Sequence, residues 1–151
     1  MGYTNRVLSG DIMKRTLRGG YGEREAKAGL RVRLPRLETF PNQFRDYEIS
    51  IEMPEFTSIC PKTGLPDFGT ITLVYVPGAV CLELKSLKNY ITAYRGVGIF
   101  NENAVNRILE DVVKACRPVR ATVVGEFNPR GGIKSVVEAR YPRSSPAAGQ
   151  A

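Results

Sequence analysis

From Tyr47 to Met53 the segment YEISIEM alternates strictly, placing Tyr47, Ile49 and Ile51 on one side and Glu48, Ser50 and Glu52 on the other. A period of two is the mark of a half-buried strand, and Pro54 is expected to end it. Gly69 to Val76, GTITLVYV, is β-branched and aromatic; Pro77-Gly78 follows as a turn signal, and AVCLEL is expected to pair back as the second arm of a hairpin. The period then changes. Ser86–Tyr94 and Asn103–Ala115 have helical spacing, with Val105, Ile108, Leu109, Val112 and Val113 on one face of the second helix and Arg107, Glu110 and Asp111 turned to water. ATVVGEF and GIKSVVEARY predict two further strands joined through Asn128, Pro129, Arg130, Gly131 and Gly132. The order β-β-β-α-α-β-β lacks alternating βα units, so the expected class is α+β, an antiparallel sheet with two helices on one face. Its two open edges leave it able to associate into a larger barrel.

The flanks differ from this patterned middle. Residues 1–38 are polar, Gly-dotted and without a sustained apolar period, which predicts a loosely ordered extension or one docked on a neighbour. Residues 39–143 form the expected domain, and 144–151, ending SSPAAGQA, a frayed tail. The chain of 151 residues carries a net charge of +7. Residues 1–40 hold nine Lys and Arg against four Asp and Glu, so most of the excess belongs to the extension. Such a segment is either solvated or drawn to an anion such as nucleic acid. No stretch approaches the about 18 apolar residues of a membrane span, and the start lacks the apolar region of a signal peptide, so a cytoplasmic location is expected.

With no histidine in the chain, Ser-His-Asp, Cys-His and His-based zinc chemistry are excluded. Cys60, Cys81 and Cys116 are odd in number and lack CxxC spacing, which fits reduced thiols better than a disulfide framework or a metal site. Cys81 and Cys116 fall within element patterns and read as buried. Cys60 lies in EFTSICPKTGLPDFG, where turn formers surround two reactive groups. Pro61 at the first position of a short helical turn would make Cys60 its cap, with free N–H groups near the sulfur to lower the thiol pKa. A thiolate of that kind is a nucleophile that needs no histidine, and Asp67, placed in a Pro-fixed turn, is the nearest group to manage protons. The alternative is a small buried Cys60 and an Asp67 that bonds its own backbone.

Lys85 and Lys88, three apart beside a helix N-terminus in ELKSLKNY, form either a phosphate site or a solvated face. Glu102 stands where the second helix begins: a first-turn carboxylate favoured by the dipole, or an acceptor for two N–H groups of a guanine-like base edge. Arg130-Gly131-Gly132 is a hairpin loop or an anion-binding nest.

Taken together, CPKTGLPDFGT, ELKSLKNY, GIFNENAVNRILEDV and EFNPRGG, in this order and at these spacings, resemble the single-module 7-cyano-7-deazaguanine reductases, the nitrile reductases of queuosine biosynthesis in tRNA modification. The match runs from about Leu37 to Pro142. The resemblance implies a T-fold (tunnelling fold) subunit whose sheet joins those of its neighbours into barrels, a homo-oligomer with sites at subunit interfaces. It implies that Cys60 adds to the nitrile to give a covalent thioimide, that Asp67 is the proton donor, and that NADPH supplies two hydrides. ELKSLK would be the cofactor signature, with Lys85, Ser86 and Lys88 at the phosphates, helped by Arg130 and Gly131. The base would be held by Glu102, Asn101 and the chain at Leu82, Glu83 and Leu84. Many members carry His where this chain has Asn101, which keeps a donor and an acceptor but cannot titrate. No metal site is expected, and nucleic acid is not required.

Two rivals stand beside this reading. An amidinotransferase-like relative would attack the nitrile on a preformed tRNA nucleotide and let ammonia resolve the thioimide, as in archaeosine synthesis; the basic extension suits tRNA, but ELKSLK has no evident use without NADPH. A non-catalytic purine-binding module would keep Glu102 yet has no need of both Cys60 and Asp67.

Overall fold

The computed structural model describes residues 22–144. Its element order is α1 (Glu23–Ala26), β1 (Thr39–Pro41), β2 (Ile49–Ile59), β3 (Pro66–Val76), β4 (Val80–Leu82), α2 (Leu84–Ala93), a 3-10 turn (Tyr94–Gly96), α3 (Asn101–Cys116), β5 (Arg120–Arg130) and β6 (Ile133–Tyr141). The main sheet is antiparallel in the order β2-β3-β5-β6, and the class is α+β as the periodicities predict. The alternation of β3 decides which face is covered: Ile71, Leu73 and Tyr75 are buried, together with Ala121, Val123 and Phe127 of β5 and Ala139 of β6. Val105, Ile108, Leu109 and Val112 of α3 pack on that face, each almost fully buried. Phe56 of β2 sits between the rings of Tyr94, at 5.3 Å, and Phe127, at 6.2 Å.

The sequence reading differs from this structure in several places. First, β2 does not stop at Pro54 but continues to Ile59 through a register shift between Met53 and Phe56. β2 is an outer strand of the sheet, and at a bulge the missing N–H of a proline removes no ladder bond. Second, the strand after Pro77-Gly78 does not pair with β3. Both sides of β3 are taken, by β2 and β5, so β4 pairs with β1 in a separate two-stranded sheet. Asn42 locks that crossing, its side-chain amide donating to Gly78 O at 2.9 Å and its backbone N–H to Ala79 O at 3.0 Å. Third, Asp67 lies within β3, opposite Ser58 of β2, rather than in a turn. Fourth, Arg107 and Asp111 of α3 do not simply face water. Asp111 accepts from the buried Tyr90 hydroxyl at 2.7 Å, and Arg107 reaches the chain N-terminal to β1.

The β5–β6 turn is Gly131-Gly132, with φ of 56° and 79°. Positive φ at both central positions of a two-residue hairpin loop is the geometry glycine adopts without penalty. Asn128 and Pro129, expected in the loop, are part of β5, and the register shifts between Phe127 and Arg130. Part of the N-terminal extension is described: Ala26, Gly29 and Val32 are hydrogen-bonded to α3, while residues 1–21 and 145–151, including most of the expected tail, fall outside the described residues. No helix among the described residues is long and apolar enough to cross a membrane.

Candidate active site

The end of β2 is pinned from the side. The Ile59 N–H donates to Val97 O at 2.9 Å and its carbonyl accepts from Ile99 N at 3.0 Å, so the segment just before α3 runs parallel to the residue preceding Cys60. The chain then reverses in one tight turn. The Cys60 N–H donates to Leu65 O at 2.8 Å, and the Gly64 N–H donates to Cys60 O at 2.9 Å. The Gly64-to-Cys60 bond, spanning four residues, closes the single helical turn expected after Pro61, and the turn presents donors to the sulfur. Burial alone would raise the Cys60 thiol; hydrogen bonds from the Thr63 hydroxyl, the Thr63 and Lys62 N–H groups and Arg130 outweigh it and lower the pKa below the ordinary thiol value. Cys81 and Cys116 are buried as expected, and burial pushes Cys116 up to about 11.

Asp67 is 9% exposed, and its Oδ1 accepts from Nη1 of Arg130. The second terminal nitrogen of Arg130 donates to Thr63 Oγ1 at 3.2 Å. The hydrogen bond to Asp67 is the main cause that raises the Arg130 pKa, and that to Cys60 adds to it. One guanidinium thus joins the thiol, the turn that shapes it and the carboxylate. Sequence reasoning had grouped Arg130 with phosphates; the register of β5 against β3, which no local pattern reveals, brings it to Asp67. Ser58, opposite Asp67, is fully buried and its Oγ has no hydrogen-bond partner among the described residues. It was not singled out from the sequence, where a serine in an alternating run carries no signal.

The ELKSLK segment is built differently from the expected helix N-terminus with free donors. Glu83 is the N-cap of α2, and its carboxylate accepts from the N–H groups of Lys85 at 2.8 Å and Ser86 at 2.7 Å, which lowers its pKa. Ser86 is buried: its hydroxyl donates to Glu83 O at 2.8 Å and accepts from Glu38 N at 2.9 Å. Leu82 is buried, its N–H on the Tyr75 hydroxyl at 3.0 Å. Those first-turn donors are therefore occupied, and what the motif offers outward is Leu84, 60% exposed, with the ammonium groups of Lys85 and Lys88. Leu84 and Lys88 line a cleft of about 470 Å³ with Ile51, Met53 and Ile91, and Arg95, missed from the sequence, adds a further cation.

Asn101 and Glu102 open α3. The Ile59–Gly98 bridge sets this helix start beside the Cys60 turn. Glu102 is exposed, while Asn101 Oδ1 is buried and without a partner among the described residues. The structure thus brings together Cys60, Asp67 and Arg130, with Asn101 and Glu102 alongside; Glu83 and Ser86 make their hydrogen bonds with each other, Lys85 and Glu38 instead. A lowered thiol, a nearly buried carboxylate and a bridging cation can add sulfur to an electrophilic carbon and deliver a proton to the atom next to it. Among the described residues no group of three or more Cys, Asp or Glu side chains could hold a metal ion.

Comparison with known proteins gives the family. Residues 66–146 match the family model described as QueF-like protein. The NADPH-dependent 7-cyano-7-deazaguanine reductase of Elusimicrobium minutum is 58% identical over 81% of this chain and 93% of its own length. The proteins of the same name from Chloroherpeton thalassium and Chlorobaculum tepidum are each 58% identical, over 70% and 72% of this chain and 92% and 94% of their own. Among solved structures, the apo form of the archaeosine synthase QueF-Like has a similar fold, with a TM-score of 0.61 at 22% identity, covering 65% of this chain and 96% of that one. With a family match over more than half its length and relatives so similar across most of it, the chain belongs to the QueF-like family.

Proposed function

We propose that this chain is an NADPH-dependent oxidoreductase that reduces the nitrile of 7-cyano-7-deazaguanine to the aminomethyl group of 7-aminomethyl-7-deazaguanine. The observation that carries the reading is the Cys60–Arg130–Asp67 cluster, in a chain 58% identical to relatives named for this reaction. Cys60 sulfur adds to the nitrile carbon as one C–N π bond opens, and the nitrogen takes a proton, giving a covalent thioimide. Asp67, joined to Cys60 through Arg130, takes up the thiol proton as the thiolate forms and passes it to this nitrogen. Arg130 holds the carboxylate in place and favours the thiolate before addition. Glu102 and Asn101 hold the base, with the chain at Leu82, Glu83 and Leu84.

The residues present fit NADPH. The exposed ammonium groups of Lys85 and Lys88 can meet phosphates, Ser86 fixes the loop before them, and the cleft at Leu84 and Lys88 has apolar walls. At the Arg130–Gly131 turn, glycine leaves open backbone where a phosphate can approach. When bound, NADPH supplies the two hydrides that, with two protons, take the nitrile to the amine. We further assign the enzyme to the cytoplasm and to a homo-oligomer whose sheets join into barrels with sites at subunit interfaces; the exposed Phe68, Ile133 and Val136 near the sheet's ends support such an assembly.

The test is NADPH consumption with the free base, followed by intact-protein mass. Two NADPH oxidised per nitrile, and an adduct on Cys60 that Cys60→Ala abolishes, are expected. An adduct formed without NADPH loss, with amidine made on tRNA, would overturn the reductase reading in favour of the amidine-forming relative.

A further inference from the structure

The segment before β1 is tied to the start of α3 by polar contacts. The Asn103 side-chain amide donates to Ala26 O at 2.6 Å, and the two terminal nitrogens of Arg107 donate to Gly29 O and Val32 O. Arg107 is 12% exposed, and its Nε faces Asp111 at 3.6 Å. All three nitrogens of the guanidinium are thus directed, an arrangement that a lysine ammonium cannot reproduce. Gly29, at φ of 78°, lies directly on the segment leading into α3: a Cβ there would stand 2.6 Å from Gly98 O and from Ile99 Cβ. Val97 and Ile99, on either side of Gly98, bond the end of β2 just before Cys60, and Asn101 and Glu102 begin the helix two residues later.

These contacts add little to the core. Leu30 and Val32 are 39% and 44% exposed, and no residue from 22 to 33 is buried. The strap is therefore held by hydrogen bonds and close backbone packing, on the one segment that joins the thiol turn to the base-binding helix start. We propose that Ala26–Val32 is a strap that sets the position of Asn101 and Glu102 and so the affinity for the base, with Arg107 and Gly29 as its positioning residues. The inference rests on the reading of Asn101 and Glu102 as base-binding residues.

The variants are Arg107→Ala, Arg107→Lys and Gly29→Ala in the full chain, with binding of 7-cyano-7-deazaguanine measured in a Cys60→Ala background and turnover with Cys60 intact. Loss of one charge-assisted hydrogen bond's worth of positioning corresponds to about tenfold in affinity. Kd and KM for the nitrile should rise by about that factor in Arg107→Ala and Gly29→Ala, with kcat within about threefold, and Arg107→Lys should restore only part of the loss. A fall in kcat at unchanged KM, or full rescue by lysine, would overturn the strap and leave Arg107 a stabilising residue. Linkage supplies a measurement that needs no strap variant: if the strap favours base binding, base binding must favour the docked strap. In the Cys60→Ala chain, hydrogen exchange at Ala26 to Val32 should slow when the base binds; unchanged exchange would refute the proposal. Failure of the unaltered chain to bind or reduce the nitrile would instead refute the reductase reading, and the strap's role with it.

Discussion

Replacing Asp67 by Asn separates the proton transfer proposed for this residue from the shape it holds. The side chain is 12% exposed and its charged partner is Arg130, itself 40% exposed. The amide keeps an oxygen that can accept from Arg130 and changes almost no volume, and the guanidinium freed of its counter-charge lies where water can screen it. The stability lost at position 67 should therefore be about 1 kcal/mol or less, because a neutral hydrogen bond replaces a charge-assisted one. The catalytic loss should be far larger. A positioned proton donor contributes about 10²–10⁴-fold, equal to about 2.7–5.4 kcal/mol of barrier. The assay is initial-rate NADPH oxidation at saturating nitrile, with a thermal melt of the same preparation. A melting temperature within a few degrees of the unaltered chain beside a kcat reduced about 100-fold or more is expected. A kcat within about threefold, with the fold intact, would refute Asp67 as the proton donor and pass the role to water or another side chain.

Other predictions follow from the same contacts. Cys60 should be alkylated by iodoacetamide with a pH midpoint below that of an ordinary thiol, and Arg130→Met, which removes one donor to the sulfur, should move the midpoint up; a midpoint at or above the ordinary value would contradict the turn geometry. The same lowering makes Cys60 favour the folded state above the ordinary thiol pKa, a contribution lost as pH falls through the lowered value, so an equilibrium melt of Cys60→Ala should differ from the unaltered chain more at alkaline than at neutral pH. Cys116, pushed up to about 11 and buried, should stay unmodified unless the chain unfolds, as peptide mapping after alkylation would show. Lys88→Ala should raise KM for NADPH and weaken its salt dependence while leaving KM for the nitrile unchanged, measured by steady-state kinetics at several ionic strengths. Tyr90→Phe deprives Asp111 of a buried donor, costing about 2 kcal/mol and lowering the melting temperature by about 4–8 °C.

What the chain determined by itself is what short-range physics can carry. The period of two in YEISIEM and the 3.6-residue spacing of Val105, Ile108, Leu109 and Val112 each assign an element and its inward face, because backbone geometry alone sets where successive side chains point. Cys60 before Pro61, with glycine and proline around it, marked a turn whose N–H groups meet the sulfur, a local event within six residues. The resemblance carried the family. Pairing lay beyond this reach. A hairpin after Pro77-Gly78 was as good locally as the one at Gly131-Gly132, but a strand has two edges and those of β3 were filled by β2 and β5, so β4 went to β1. The Glu83 cap, too, could be read only once the helix start was known to lie at Leu84. The position of Arg130 depends on strand register 63 residues away in sequence from Asp67, and the grip of Arg107 on the strap spans 78 residues to Gly29. Such contacts are selected by the packing of whole elements, where burial of the common core decides which distant polar groups are left facing each other. Only the tertiary structure could place them.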